Sequence, residues 1–281
     1  MIKRKMIILT ALVLIMVGAL GGLLAWLGGN RPLDVADVKT FAQEITGIAI
    51  DSDNVGVEVR STADTKIKVE LMGSAFKNTT YNFDASVEHG LLSITAAKTK
   101  QSWFNLVPID LNIVISLPEK QYHSLQVDGN SGMIQLEGLQ IDEIYCNTEI
   151  SDIALETITA KDITLESGAH IGLSDVTSEC LTAKTSASIT MEAIEVDSIV
   201  VKTGAQITLS TSHIDRNIHL ESSHGSIQVR TGQAPENVRF EISTKSTINL
   251  LGGRYYNGVD VGDGDNLVRL VAAGSITVEG K

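Results

Sequence analysis

Residues 153–209 read IALETITAKDITLESGAHIGLSDVTSECLTAKTSASITMEAIEVDSIVVKTGAQITL. Apolar residues stand two apart, then recur after a polar corner: Ile153/Leu155, Ile163/Leu165, Ile171/Leu173, Leu181/Ala183, Ile189/Met191, Ile199/Val201, Ile207/Leu209. Alternation with period two is the signature of a strand with one buried face. Working outward, the same unit fills residues 124–281. Its opening pairs are Leu125/Val127, Ile144/Cys146, Ile163/Leu165, Leu181/Ala183, Ile199/Val201 and Ile218/Leu220, at steps of 19, 19, 18, 18 and 19 residues. A second pair follows each one: Ile134/Leu136, Ile153/Leu155, Ile171/Leu173, Ile189/Met191, Ile207/Leu209, Ile227/Val229. Weaker third pairs complete several units (Leu139/Ile141, Ile158/Ala160, Ile194/Val196), and Phe240/Ile242–Ile248/Leu250 and Val268/Leu270–Ile276/Val278 close the array.

Strands this short cannot bury a face alone, but stacked coils can, with each Ile or Leu lying over its equivalent in the coil before. The corners are rich in residues that tight turns need: Gly129–Gly132, Asn147–Asp152, Ser167–His170, Thr185–Ser188, Thr203–Gln206 and Ser222–Ser226. The spacing predicts an all-β, parallel β-helix-like solenoid of about eight short coils over 119–281, of either hand. A helical repeat conflicts with the period of two, and a propeller blade needs about 40 residues or more.

Residues 47–118 form an N-terminal β-strand region: Val55/Val57/Val59, Ile67/Val69/Leu71, Tyr81–Val87, Leu91–Ala96 and Ile109–Leu117 alternate, and Pro118 ends the last run. Residues 28–46 read as a juxtamembrane linker in which Asp34–Ile45 can form a short helix. Met6–Leu27 carries no charge. At about 1.5 Å per residue it reaches about 33 Å, enough for a hydrocarbon core of about 30 Å. The basic tail 1–5 contains Lys3, Arg4 and Lys5, and the other flank is nearly neutral. The expectation is therefore a single-pass transmembrane helix over 6–27, with Trp26 at its outer boundary. The N-terminus is then cytoplasmic and the C-terminal domain extracytoplasmic. A cleaved signal peptide has a similar charged start, but no A-x-A site follows, and no Cys follows to carry a lipid.

Net charge is −12, and the tail contributes +3, so the rest carries −15. Such a surface repels nucleic acid and anionic lipid, which argues against nucleic-acid binding.

The runs VGVEVRSTADTKIKVEL (55–71), LNIVISLPEK (111–120) and SLQVDGNSGMIQLEGL (124–139) resemble the adhesin-like β-strand-repeat proteins of the bacterial envelope. The Ser-Gly-x-Ile corner is clean at Ser131–Ile134 and decays at Thr203–Ile207 and Ser223–Ile227. The resemblance implies an envelope location and a role in surface interaction or envelope stress. It implies no catalytic residues.

Candidate chemistry is sparse. Cys146 falls on a core position beneath Leu165. Cys180 points outward two coils away, about 9.6 Å by ladder spacing, beyond the reach of about 7 Å for a disulfide. The histidines (His89, His123, His170, His213, His219, His224) show no zinc spacing. Asp260, Asp263 and Asp265, after Tyr255 and Tyr256, form an Asp/Gly segment that could chelate calcium but matches no full calcium loop. Two outward ladders are predicted: Gln126, Tyr145, Thr164, Thr182, Val200, His219; and Gln135, Ala154, Gly172, Thr190, Thr208, Gln228. Both are largely neutral and lack the paired acids of glycoside hydrolysis. No catalytic, cofactor-binding or metal-ligating residue is expected, and no cofactor. The leading expectation is a noncatalytic interaction or sensing protein of the envelope stress response, with an envelope protein or cell-wall polymer as partner. The alternatives are a polysaccharide-binding or polysaccharide-active β-helix protein and a surface adhesin.

Overall fold

Each apolar pair takes an inward position on a short strand, and stacking these strands builds the molecule. The computed structural model describes residues 13–22, 33–75, 80–100, 111–254 and 256–280. Residues 13–22 are helical and exposed. The rest of the expected span (6–12 and 23–27), the basic tail and Trp26 lie outside the described residues. Among the described residues, no helix is long and apolar enough to cross a membrane.

The strands in chain order are β1 (Leu33–Phe41), β2 (Gly47–Asp53), β3 (Gly56–Thr62), β4 (Ile67–Ala75), β5 (Thr80–Glu88), β6 (Leu91–Lys100), β7 (Leu111–Pro118), β8 (Gln121–Gly129), β9 (Ile134–Glu137), β10 (Gln140–Thr148), β11 (Ile153–Ser167), β12 (Ile171–Thr185), β13 (Ile189–Thr203), β14 (Ile207–Thr211), β15 (Asn217–Ser222), β16 (Ile227–Thr231), β17 (Val238–Thr244), β18 (Ile248–Leu250), β19 (Asp260–Val261), β20 (Asn266–Ala272) and β21 (Ile276–Gly280). The opening pairs lie on one side of the solenoid, in the order β6, β2, β8, β10, β11, β12, β13, β15, β20, β17. The second pairs lie on another side, in the order β7, β3, β9, β11, β12, β13, β14, β16, β21, β18. All these pairings are parallel. They make ten rungs among the described residues, about 43 Å from first to last at about 4.8 Å per step.

The eight units expected from residue 124 onward each form a rung. Two more, β2/β3 and β6/β7, come from residues 47–118 and continue the same two sheets without a break. Stacking does not follow chain order at either end. The rung β2/β3 lies between β6/β7 and β8/β9. At the far end β20/β21 slides between β15/β16 and β17/β18, so the chain's last unit is not the end of the stack. Antiparallel strands finish the ends: β5 on β6, β4 on β7, β1 on β4, and β19 on β17. Such strands shield much of the unpaired backbone that an open solenoid end would present.

The helix expected over Asp34–Ile45 is not formed; β1 begins inside the segment read as a linker. Val35, Val38 and Phe41 have helix-like spacing, but pairing along β4 (Val35 opposite Gly73, Phe41 opposite Ile67) outweighs that local preference. Val35 is buried and Phe41 packs on the core. Lys39 crosses the end of the stack from β1 to β5, bonding Asp84 at 2.7 Å and lying 5.2 Å from the Phe83 ring.

The third side is not a separate strand. β11, β12 and β13 each run 15 residues and turn at one left-handed residue: Thr157 (φ 54), Asp175 (φ 55) and Ala193 (φ 53). Gly138 (φ 67) holds the equivalent place one rung earlier. This conformation costs an L-residue about 1–2 kcal/mol, and a β-branched side chain is a rare occupant. Thr157→Gly is therefore expected to raise stability by up to about 1 kcal/mol in thermal denaturation, the gain being trimmed by glycine's larger unfolded entropy.

The corner between the first and second sides holds a hydroxyl ladder. Thr148, Ser167, Thr185, Thr203 and Ser222 are in register and buried. Ser167 Oγ donates to the Ser151 carbonyl of the preceding rung at 2.7 Å and accepts from Ala169 N at 2.9 Å. Thr185 repeats this with Ala169 O and Ala187 N, and Thr203 with Ala187 O and Ala205 N. Each buried hydroxyl is thus satisfied, and each ties two rungs together.

Candidate interaction surface

Outward side chains on a stacked sheet fall into ladders, so register determines what each side presents. On the second side the expected ladder forms as read: Gln135, Ala154, Gly172, Thr190, Thr208 and Gln228 are successive partners. The interleaved rung extends it to Thr277, and the end rung to Asn249. From Gln135 to Asn249 this row carries no charge over eight rungs. It begins beside Glu58 of β3.

On the first side Gln126, Tyr145, Thr164, Thr182, Val200 and His219 also align. Above His219 the row continues through Arg269 and Glu241. This side is charged: its next outward row is Asp51, Asp128, Asn147, Glu166, Lys184, Lys202, Glu221. Partial burial lowers the pKa of His219, helped by the positive charges of Arg269 and Lys202.

Cys146 is buried opposite Leu165, and burial pushes its thiol far above the ordinary range. Cys180 is exposed, and both cysteines are free thiols. The Cys180 pKa is raised by desolvation first, then by Asp162, Glu179 and Asp197. The thiolate is the nucleophile, so alkylation of Cys180 at pH 7.5 is expected to run slower than that of a Cys in an unstructured peptide. Competition between the two for iodoacetamide, read by mass spectrometry, checks this.

Asp260, Asp263 and Asp265 do not gather into one ligand group. Arg239 grips Asp260 through two bonds of 2.6 and 3.0 Å, and Asp265 exchanges bonds with Asn237. Tyr255 lies outside the described residues. No group of three His, Cys, Asp or Glu able to hold a metal occurs among the described residues. His213 contacts the Arg216 guanidinium at 2.6 Å, His224 the Ser223 hydroxyl at 2.9 Å, and His170 the Ser188 hydroxyl at 3.0 Å. Sequence reasoning missed Arg216, which is buried where a loop replaces the third side. Its guanidinium bonds the Val196 carbonyl and Glu195, both at 2.9 Å. Burial alone would raise the Glu195 pKa, yet bonds from Ser212 and Arg216 hold it low. A lone Arg in a loop gives no periodic signal that would have flagged it.

The family model described as Toastrack DUF4097 matches residues 45–247, well over half of the chain. The chain belongs to that family. This Toastrack match begins just before β2 and stops before β18, so β1 and the interleaved rung β20/β21 fall outside it. No curated protein matches the chain. Among solved structures, a putative adhesin from Parabacteroides distasonis is similar at 11% identity, covering 89% of this chain and 98% of that one with a TM-score of 0.47. A putative adhesin from Parabacteroides merdae is similar at 11% identity, covering 88% and 96%, with a TM-score of 0.46. A putative cell adhesion protein from Clostridium sporogenes shares 13% identity over 89% and 100%, with a TM-score of 0.30.

Proposed function

We propose that this Toastrack protein is a noncatalytic interaction and sensing protein of the cell envelope. In this reading residues 6–27 tether it to the cell membrane with the N-terminus cytoplasmic. The solenoid then stands outside as a rigid platform linked to the envelope stress response, and the layout of anchor plus strand repeat is most like that of LiaG, the membrane-anchored protein of the Lia stress operon. The observation that carries the reading is the uncharged row on the second side, from Gln135 to Asn249. Eight rungs present small polar or neutral side chains in one flat row, while the charges of this side (Glu137, Glu156, Glu192, Arg230, Glu279) stand in the next outward row. A flat neutral row suits contact with an extended partner, an envelope protein or a wall polymer. Glycoside cleavage instead needs two carboxyl groups held across a bond.

The test is capture of partners from membranes with full-length protein and a mild crosslinker, before and after a wall-targeting antibiotic. The expected result is a specific envelope protein enriched under stress and lost in a Thr190→Arg/Thr208→Arg variant that keeps its melting temperature. Capture indifferent to those arginines overturns the assignment of this side. Retention on purified wall polymer without any protein partner selects the polysaccharide-binding alternative. Full-length protein recovered from the soluble fraction refutes the tether.

A further inference from the structure

The first side carries a feature that the platform reading does not use. Lys184 and Lys202 are direct partners on adjacent rungs, both exposed, about 4.8 Å apart at the backbone. Like charges placed opposite each other across strands are destabilising. Lys202 reaches Glu221 at 3.5 Å, whereas Lys184, although Glu166 is its register partner on the other side, forms no ion pair among the described residues. Both lysines line one open groove of about 480 Å³ with Ser186, Gly204, Ser223 and His224. Gly204 lets the two rungs close on each other at the groove's corner, because a Cβ there would meet the Ser186 carbonyl oxygen. The groove therefore gathers two ammonium groups, hydroxyls and an imidazole with one carboxylate, Glu221, in its lining and Glu166 on the rung beyond Lys184, on a chain whose net charge is −12.

We infer that this groove binds an oxyanion, a phosphate or carboxylate, carried on an otherwise neutral polymer. An oxyanion between the two ammonium groups turns their mutual repulsion into shared attraction, and charged hydrogen bonds of this kind are the strong ones. The ligand is not a polyanion, because the acidic body repels dense negative charge. The groove lies on a different side from the uncharged row, so either assignment stands if the other fails.

Differential lysine acetylation of the full chain at low salt, read by mass spectrometry, tests the inference. The probes are inorganic phosphate, glucose 6-phosphate and glucuronate, with glucose and chloride of equal ionic strength as controls. Lys184 and Lys202 should be protected about threefold at a probe concentration twice the dissociation constant, with Lys66 and Lys245 unaffected. Lys184→Gln should abolish protection of Lys202 without lowering the melting temperature. Stronger protection by the sugar phosphate or by the uronate tells which oxyanion the groove takes. Equal protection by chloride, no protection by any oxyanion, or protection that survives Lys184→Gln overturns the inference.

Discussion

Gly168→Ala is expected to lower stability by about 2–3 kcal/mol, or roughly 5–10 °C in melting temperature for a chain of this size. Gly168 lies in the corner where one rung crosses the next, and a Cβ there would meet the Glu149 carbonyl oxygen at 1.9 Å and its carbon at 3.0 Å. Both obstacles are backbone, which cannot rotate away as a side chain can. Relief requires separating two rungs that Gly168 N–H and Thr148 O tie together at 3.2 Å. Gly172, four residues on in the same rung, supplies the control, because no backbone atom stands in its way. A Cβ at Gly172 meets only the His170 ring, at 3.6 Å, which is ordinary contact. Gly172→Ala should then be neutral or stabilising by about 0.5–1 kcal/mol, because alanine loses less entropy in a strand. Equal effects at the two positions would mean that the rungs are not packed at this separation.

Leu270→Ala is expected to cost about 3–5 kcal/mol, and more than Ile242→Ala. Leu270 is fully buried, with Leu220 as its partner on one side and Ile242 on the other. Ile242 sits on the end rung, is 6% exposed, and has a rung on one side only. A stack in chain order would reverse the ranking, since Leu270 would then lie on the open end. Urea denaturation of both variants decides the matter by the order of their midpoints.

Much of the fold was legible in the residues, because the two sequence periods have simple physical causes. Pairs such as Ile171/Leu173 must face inward if alternate positions are to leave water. A step of 18 or 19 residues must put Thr190 beside Gly172 and Thr208 if coils stack. What was not legible depends on contacts between distant segments. Nothing local to β20 says that it enters between β15 and β17, as the strength of Phe240 and Val268 as core residues is the same in either order. The two rungs of residues 47–118 were read as strands but not as coils, because the long excursion through β4 and β5 breaks the even step. β1 looked helical because its partner β4 is more than 25 residues away. Ser167, Thr185 and Thr203 were read as turn formers, which they are. Their burial follows only once a carbonyl of the preceding rung is there to accept the hydroxyl proton.

The candidate site was legible as an absence of acids on the second row, and the row's full length was not, since Thr277 and Asn249 join it only through the interleaved rung. On the first side, the sequence gives Lys184 and Lys202 at the right step, yet their shared groove depends on the corner at Gly204.

Each face described above rests on the rung order, so the most direct measurement is cysteine pairing in a Cys180→Ser background. His219→Cys/Arg269→Cys places two thiols on adjacent rungs, about 4.8 Å apart at the backbone, whereas His219→Cys/Glu241→Cys spans two rungs, about 9.6 Å, beyond disulfide reach. The interleaved stack predicts that mild oxidation closes the first pair within one chain and leaves the second reduced. Closure of the 219/241 pair with the 219/269 pair left open would contradict it.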